Sequence, residues 1–316
     1  MKILILGYSD LARRKIIPAI KKIKSIRIDI ASKSSKKENI GQENWYRDYN
    51  KALKESDAEI VYISLVNSLH FNFALKAIFL GKHVIVDKPI TLNLDEAMVL
   101  LKLAKRRKVL LAEALTFNYH KQFSIMQNLI KKNSKIQNII MKFNIPKPKN
   151  NNFKLSKRMG GGCFNDMTSY AAEINRIFLK KNIKIKSANL INENNLNTNF
   201  SINSFNGKIE FYGNFSHDSE YENSITFSAN NYYIKLERFC APPSDTNLIL
   251  TIKKRNKLTS INIPRDDMFE NFLREYIFNL RKKDIEFYHK RIIFNYKFKK
   301  KLKEASKLWK KNILKT

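Results

Sequence analysis

The first twelve residues narrow the fold of this chain more than any other stretch. Lys2-Ile3-Leu4-Ile5-Leu6 is a near-continuous apolar run that stops at Gly7, the pattern of a strand covered on both faces in a parallel sheet. The turn Gly7-Tyr8-Ser9-Asp10-Leu11-Ala12 follows. Beyond it Ile16, Ile17, Ile20 and Ile23 recur at helical spacing, with Pro18 starting or bending the second part of the helix. A strand, a tight turn and a helix start outline a dinucleotide-binding unit, because the free N–H groups of the helix N-terminus can hold a pyrophosphate. Gly7 occupies the first glycine position of that fingerprint and Ala12 an accepted third. Ser9 replaces the second glycine, where backbone and phosphate come closest; it is small enough to fit, and its hydroxyl can donate to phosphate.

The pattern then repeats. Arg27 to Ala31 reads as a second strand, and in an NAD-binding fold an acid near its end would bind the ribose hydroxyls. Here the chain has Ser32-Lys33-Ser34-Ser35-Lys36. A hydroxyl and a cation at that position suit the 2′-phosphate of a phosphorylated cofactor, so NADP(H) is expected over NAD(H). A strand over Glu59–Leu65 leads to Val66-Asn67-Ser68-Leu69-His70 and a helix that reaches Leu80 and stops at Gly81. His83 to Val86 is the next strand, and it delivers Asp87-Lys88-Pro89 to the sheet edge where open α/β folds bind ligands. Asn93 and Glu96 form a capping box for a helix through Arg107, and Val109–Ala112 ends at Glu113. Strands alternating with helices at this spacing predict a doubly wound parallel sheet.

After about Leu115 the pattern changes. A helix from His120 to Lys132, a strand at Ile136–Phe143 and a Pro/Asn-rich loop at Pro146–Asn152 lead to Gly160-Gly161-Gly162-Cys163-Phe164-Asn165-Asp166. If Asn165 caps a helix through Phe178, Asp166 and Tyr170 stand one turn apart on a single face. A carboxylate and a phenol so placed suit a site that binds hydroxyls and moves a proton; a plain helix entrance with one acid and one packed aromatic fits the same residues. Alternating segments follow at Ile183–Leu190, Lys208–Phe215, Ser224–Ala229, Tyr232–Glu237 and Leu248–Lys253, with Asn230-Asn231 as a hairpin turn. Phe269, Phe272, Leu273, Tyr276, Ile277 and Leu280 mark an amphipathic helix. The expected architecture is α/β: a Rossmann domain over residues 1–117, then an α+β domain over 118–316 with a mostly antiparallel open sheet.

Composition limits the partners. The net charge of +32 raises nucleic acid as a ligand, but lysines are spread along the chain and mixed with Asn and Ile. The densest cluster, Lys297 to Lys301 and on to Lys315, reads as a solvated amphipathic helix. Nucleic acid is therefore not expected, although the surplus favours anionic small molecules. No apolar run approaches the roughly 20 residues needed to cross a bilayer. The two cysteines, Cys163 and Cys240, show no metal-ligand spacing. No membrane association, no metal and a cytoplasmic location are expected.

Taken in order, these pieces resemble the Gfo/Idh/MocA (glucose–fructose oxidoreductase / inositol dehydrogenase) family of pyridine-nucleotide sugar oxidoreductases. The resemblance rests on the Gly7–Ala12 turn, Asn67-Ser68-Leu69-His70, Gly81-Lys82-His83-Val84, Asp87-Lys88-Pro89, Glu113-Ala114, and Gly160-Gly161-Gly162 leading to Asp166 and Tyr170. Asp87 stands where the family usually has glutamate, Val66 where it has proline, and Tyr170 where many members have histidine; the tyrosine is similar to the branch of dihydrodiol dehydrogenases and sugar ketoreductases. The resemblance implies hydride transfer between nicotinamide and a carbon of a sugar or nucleotide-linked keto sugar. Lys88 and Tyr170 would be the acid–base pair, with Asp166 on a sugar hydroxyl. It also implies cofactor contacts from Gly7, Ser9, Asp10, Leu11, Ala12, Ser32, Lys33, Asn67, His70, Asp87 and Lys88. A homo-oligomer, dimer or tetramer, is expected through the open sheet face. A cofactor-binding but inactive scaffold or regulator is the alternative.

Overall fold

A computed structural model describes residues 1–34, 36–132 and 136–313, with side chains as far as Leu308. Ser35 of the expected NADP loop and Lys315 of the basic cluster lie outside the described residues. The chain forms two compact units: Met1–Leu115 with Phe269–Ile293, and Thr116–Met268 with Phe294–Thr316. A boundary at 117/118 assigns everything beyond it to the second domain, whereas residues 269–293 group with the first unit.

In the first unit β1 (Lys2–Leu6) is buried along its whole length and pairs in parallel with β2 (Arg27–Ala31) and β4 (Ile60–Ile63). Adding β3 (Asn44–Tyr46), β5 (His83–Asp87) and β6 (Leu111–Ala114) gives a six-stranded parallel sheet in the order β3-β2-β1-β4-β5-β6. The order reverses between β1 and β4, the switch point at which such sheets bind ligands beyond their C-terminal strand ends. After β1 the chain enters a π-helical turn (Ala12–Ile16) that continues as α1 (Ile17–Lys21). α2 (Tyr49–Glu55), α3 (Asn67–Phe79) and α4 (Leu94–Arg107) connect β3 to β4, β4 to β5 and β5 to β6. α4 starts as its sequence requires: Asn93 Oδ1 accepts the Glu96 N–H at 2.9 Å, and Glu96 reaches back to the Leu92 N–H at 3.3 Å. β3 was not expected, since three residues are too few to show a period.

The returning segment brings α7 (Met268–Arg281), whose Phe272, Leu273 and Tyr276 are buried. The Tyr276 hydroxyl donates to the Leu110 carbonyl at 2.9 Å, so the phenol is satisfied at the foot of β6.

The second unit is built on a mixed sheet of eight strands: β7 (Asn138–Asn144), β8 (Lys184–Glu193), β9 (Leu196–Phe205), β10 (Glu210–Ser216), β11 (Glu222–Ala229), β12 (Tyr232–Glu237), β13 (Leu248–Lys254) and β14 (Lys257–Ile263). Their order is β14-β13-β12-β11-β7-β10-β9-β8, antiparallel throughout except for the β7/β10 pair. α5 (Lys121–Lys132), α6 (Cys163–Ile174) and most of α8 (His289–Ile313) belong to this unit. α6 lies on one face, with Phe164 against Phe200 at 5.6 Å between ring centroids. Asn231 takes the positive φ that a hairpin turn between β11 and β12 demands. Two strands escaped the sequence pattern, β9 and β14. Along β9 the inward positions are Thr198, Phe200, Ile202 and Ser204; half are polar, so the apolar alternation breaks.

No helix among the described residues is long and apolar enough to cross a membrane, and no cluster of metal-ligating side chains occurs among them.

Candidate active site

Gly7 turns the chain out of β1 with φ of 99°, and a Cβ at this position would lie 2.2 Å from the Ser64 carbonyl oxygen. Only glycine permits that turn. Ser9 then caps the helix, its Oγ accepting the Ala12 N–H at 3.0 Å and lying 2.7 Å from Ser64 Oγ. Ser64 in turn donates to Asp87 Oδ2, and Tyr62 to Asp87 Oδ1, each at 2.6 Å. Because the Ser64 hydroxyl donates to Asp87, the Ser9 hydroxyl donates to Ser64. Ser9 is thereby held inward, against the end of β4. One network ties the glycine turn to the ends of β4 and β5. Burial raises the Asp87 carboxyl above its ordinary range, opposed by the bonds from Ser64 and Tyr62 and by the charges of His70 and Lys88. Burial and the Asp87 charge push the Tyr62 phenol well above its usual value.

The residues around this edge fit a dinucleotide. Asp10 and Leu11 are exposed at the helix start, where N–H groups point outward. The Asp10 carboxylate is paired with Arg13 and Arg14 at 3.2 and 3.3 Å, which offsets an acid placed where a phosphate would sit. Ser32, Lys33 and Ser34 follow β2 with no carboxylate among them, and the Lys33 ammonium sits 5.3 Å from the centre of the Tyr49 ring. Asn67 is a buried first residue of α3.

His70 is held by main chain on both sides. It is fully buried, with Nδ1 at 2.8 Å from the Pro89 carbonyl and Nε2 at 2.9 Å from the Leu65 carbonyl. Carbonyls only accept, so a neutral ring satisfies one of them and a doubly protonated ring both. With both nitrogens on main chain, the imidazole ties the loop after β4 to the Lys88-Pro89 turn. Glu113, at the end of β6, holds the same turn by accepting the Ile90 N–H at 3.0 Å.

In the second unit the glycine run does what its composition suggests. A Cβ on Gly161 would lie 2.4 Å from the Lys154 carbonyl oxygen, and Gly162 takes φ of 96° as the cap of α6. Asn165 is therefore not the cap. It lies inside the first turn, where its Nδ2 reaches back to the carbonyls of Gly160 and Gly161 at 3.3 and 3.1 Å, while the Phe164 N–H is taken by Asn197 Oδ1 at 2.8 Å. Beyond Ile174 the helix relaxes into a π turn, Asn175–Leu179.

Asp166 and Tyr170 are both buried on α6. Asp166 Oδ2 meets Lys154 Nζ at 2.8 Å and His217 Nε2 at 3.1 Å. Neither partner was foreseen: His217 is 51 positions away in sequence, and no local spacing announces it. The Tyr170 ring packs between Phe117 and Phe143, at 5.5 and 5.2 Å between centroids. Asp166 is thus a carboxylate held by two donors, one turn from a buried phenol on the same helix.

Residues 1–115 match an oxidoreductase family with an NAD-binding Rossmann fold, GFO_IDH_MocA. That match covers the first 115 of the chain's 316 residues. Similar proteins include a dTDP-3,4-didehydro-2,6-dideoxy-alpha-D-glucose 3-reductase of Actinomadura kijaniata, 24% identical over 286 residues that span 86% of this chain and 85% of the relative. Among solved structures, KijD10, a 3-ketoreductase from Actinomadura kijaniata in complex with NADP and TDP-benzene, superposes with a TM-score of 0.88 at 21% identity, covering 94% of this chain and 95% of that one. An aldose-aldose oxidoreductase from Caulobacter crescentus gives 0.81 at 14% identity, covering 97% of each chain. At such identities the structural likeness establishes the fold alone, a Rossmann sheet followed by a mostly antiparallel one.

Proposed function

We propose that this chain is an NADP(H)-dependent reductase of a nucleotide-linked keto sugar. The observation that carries the reading is the Ser9–Ser64–Asp87 network, which fixes the peptide bearing Lys88 against the glycine turn that serves the nucleotide. NADP(H) is favoured over NAD(H) because Ser32 and Lys33 leave no acid to repel a 2′-phosphate. Gly7, Asp10, Leu11 and Ala12 hold the pyrophosphate by backbone, with Asn67 and Lys88 on the nicotinamide side. When bound, the nicotinamide supplies the hydride.

The chain's own groups manage the proton and the developing charge. The Lys88 ammonium stabilises alkoxide character on the carbonyl oxygen. Tyr170 gives the proton in reduction and is left as phenolate. Asp166, clamped by Lys154 and His217, orients a sugar hydroxyl. The exposed Ile140 and Tyr212, paired across β7 and β10, form an apolar patch on the sheet face away from α6 that suits a second copy. Two free buried cysteines accord with a reducing cytoplasm.

The test is NADPH consumption, followed by absorbance, with dTDP-linked 3-keto sugars and with free sugars. Turnover is expected with the nucleotide-linked substrate. Lys88→Ala and Tyr170→Phe are each expected to lose about 10²–10⁴-fold in kcat while NADP binding, read by fluorescence, persists. NADP binding with no turnover on any of these sugars would instead assign the chain a noncatalytic role.

A further inference from the structure

The first unit carries a second concave surface that shares no residue with the candidate site. α2, α3 and α4 together line a groove of ≈ 930 Å³. Its apolar surface comes from Leu75 and Phe79, one turn apart on α3, and from Val99 and Leu103, one turn apart on α4. Phe79 is 60% exposed and Val99 46%, a large apolar area for the outside of a helical layer. Around it stand Lys54, Lys76, Lys102 and Arg106, so each of the three helices contributes a cation. No carboxylate occurs among the described residues that line the groove. The Arg107 guanidinium lies 4.7 Å from the centre of the Phe79 ring, which adds a further positive charge beside it.

We propose that this groove docks an acidic amphipathic helix of a partner protein. Apolar side chains in pairs one turn apart, on two neighbouring helices, present ridges into which the side chains of a third helix can interdigitate. Carboxylates on the flanks of that helix would meet lysine or arginine on either side. Charge also discriminates among occupants. A second copy of this chain brings another +32, and like-charge juxtaposition works against it. A flat anionic lipid surface satisfies the cations but does not fill a concave floor.

The inference is independent of the proposed reductase activity, and its test needs no substrate. The probe is a fluorescein-labelled synthetic helix with leucines at i, i+3/i+4 and i+7 and glutamates on both flanks. A control peptide replaces every glutamate with lysine. Anisotropy titration of the full chain is expected to show binding of the acidic peptide alone, weakening as salt is raised. Phe79→Ser, which removes the floor, and the pair Lys76→Glu with Arg106→Glu, which reverses the charge, are each expected to weaken binding at least about tenfold, or ~1.4 kcal/mol. Unchanged NADP binding by these variants verifies that the unit is folded. The inference is overturned if both peptides bind alike, if the variants bind the acidic peptide undiminished, or if no peptide binds. It is likewise overturned if Phe79 proves necessary instead for pelleting with phosphatidylglycerol vesicles or for dimer formation in sedimentation.

Discussion

At Gly7 an alanine methyl would press into the Ser64 carbonyl at 2.2 Å and also take a φ that side chains avoid. Gly41 provides the control, because its φ is likewise positive, at 77°, but nothing lies within 4 Å of an added Cβ. Gly41→Ala should therefore cost only the left-handed strain of about 1–2 kcal/mol. Gly7→Ala should cost clearly more and lower the urea midpoint further. Equal midpoints for the two variants would mean that the turn after β1 yields freely, which the Ser9–Ser64–Asp87 network argues against. Gly7 was legible because a strand running into a lone glycine is a local signal. The inward bond of Ser9, the main-chain clamp of His70 and the approach of His217 to Asp166 were not, since each depends on a partner supplied by another strand or loop.

Among the elements, those with a clean period were readable and those with a polar inner face were not. β1 and β5 are built on runs of Ile, Leu and Val that end at turn residues, and their positions followed directly from the sequence. β9 shows the opposite case. Ser204 points inward and is fully buried, yet its hydroxyl donates to Asn175 Oδ1 at 2.6 Å. That bond makes a serine acceptable in an apolar layer, and it joins β9 to the π turn that follows α6. Ser204→Ala should leave the Asn175 oxygen without its donor and destabilise the unit by ~1–3 kcal/mol, measurable by denaturant unfolding. Ser201→Ala, half-buried on the opposite face of the same strand, should be close to neutral. α6 was foreseen as an element but its cap was not: the positive φ of Gly162, rather than the side chain of Asn165, sets where the helix begins.

For the whole molecule, the net charge of +32 is a property of the surface and carries no information about the fold. The assignment of residues to units is less local than the sequence pattern suggests, because 269–293 complete a unit that begins at residue 1. Phe272, Leu273, Tyr276 and Ile277 are buried there, and at ~1.5–3 kcal/mol per buried side chain their loss rivals the roughly 5–15 kcal/mol that stabilises an ordinary domain. A fragment of residues 1–115 is thus expected to lack a cooperative thermal transition by circular dichroism. Joining residues 269–293 to it through a flexible linker should restore one. A fragment that melts cooperatively without them would show that α7 is dispensable to the sheet.

The return of 269–293 also bears on how the chain is born. A ribosome extrudes the six parallel strands first, then the residues of 116–268, and only afterwards the helix whose Tyr276 seals Leu110. Throughout that interval the underside of β6 has no lid, and exposed apolar surface of this kind is where nascent chains stick to one another or to chaperones. The half that begins synthesis first cannot close until residues 269–293 have been made.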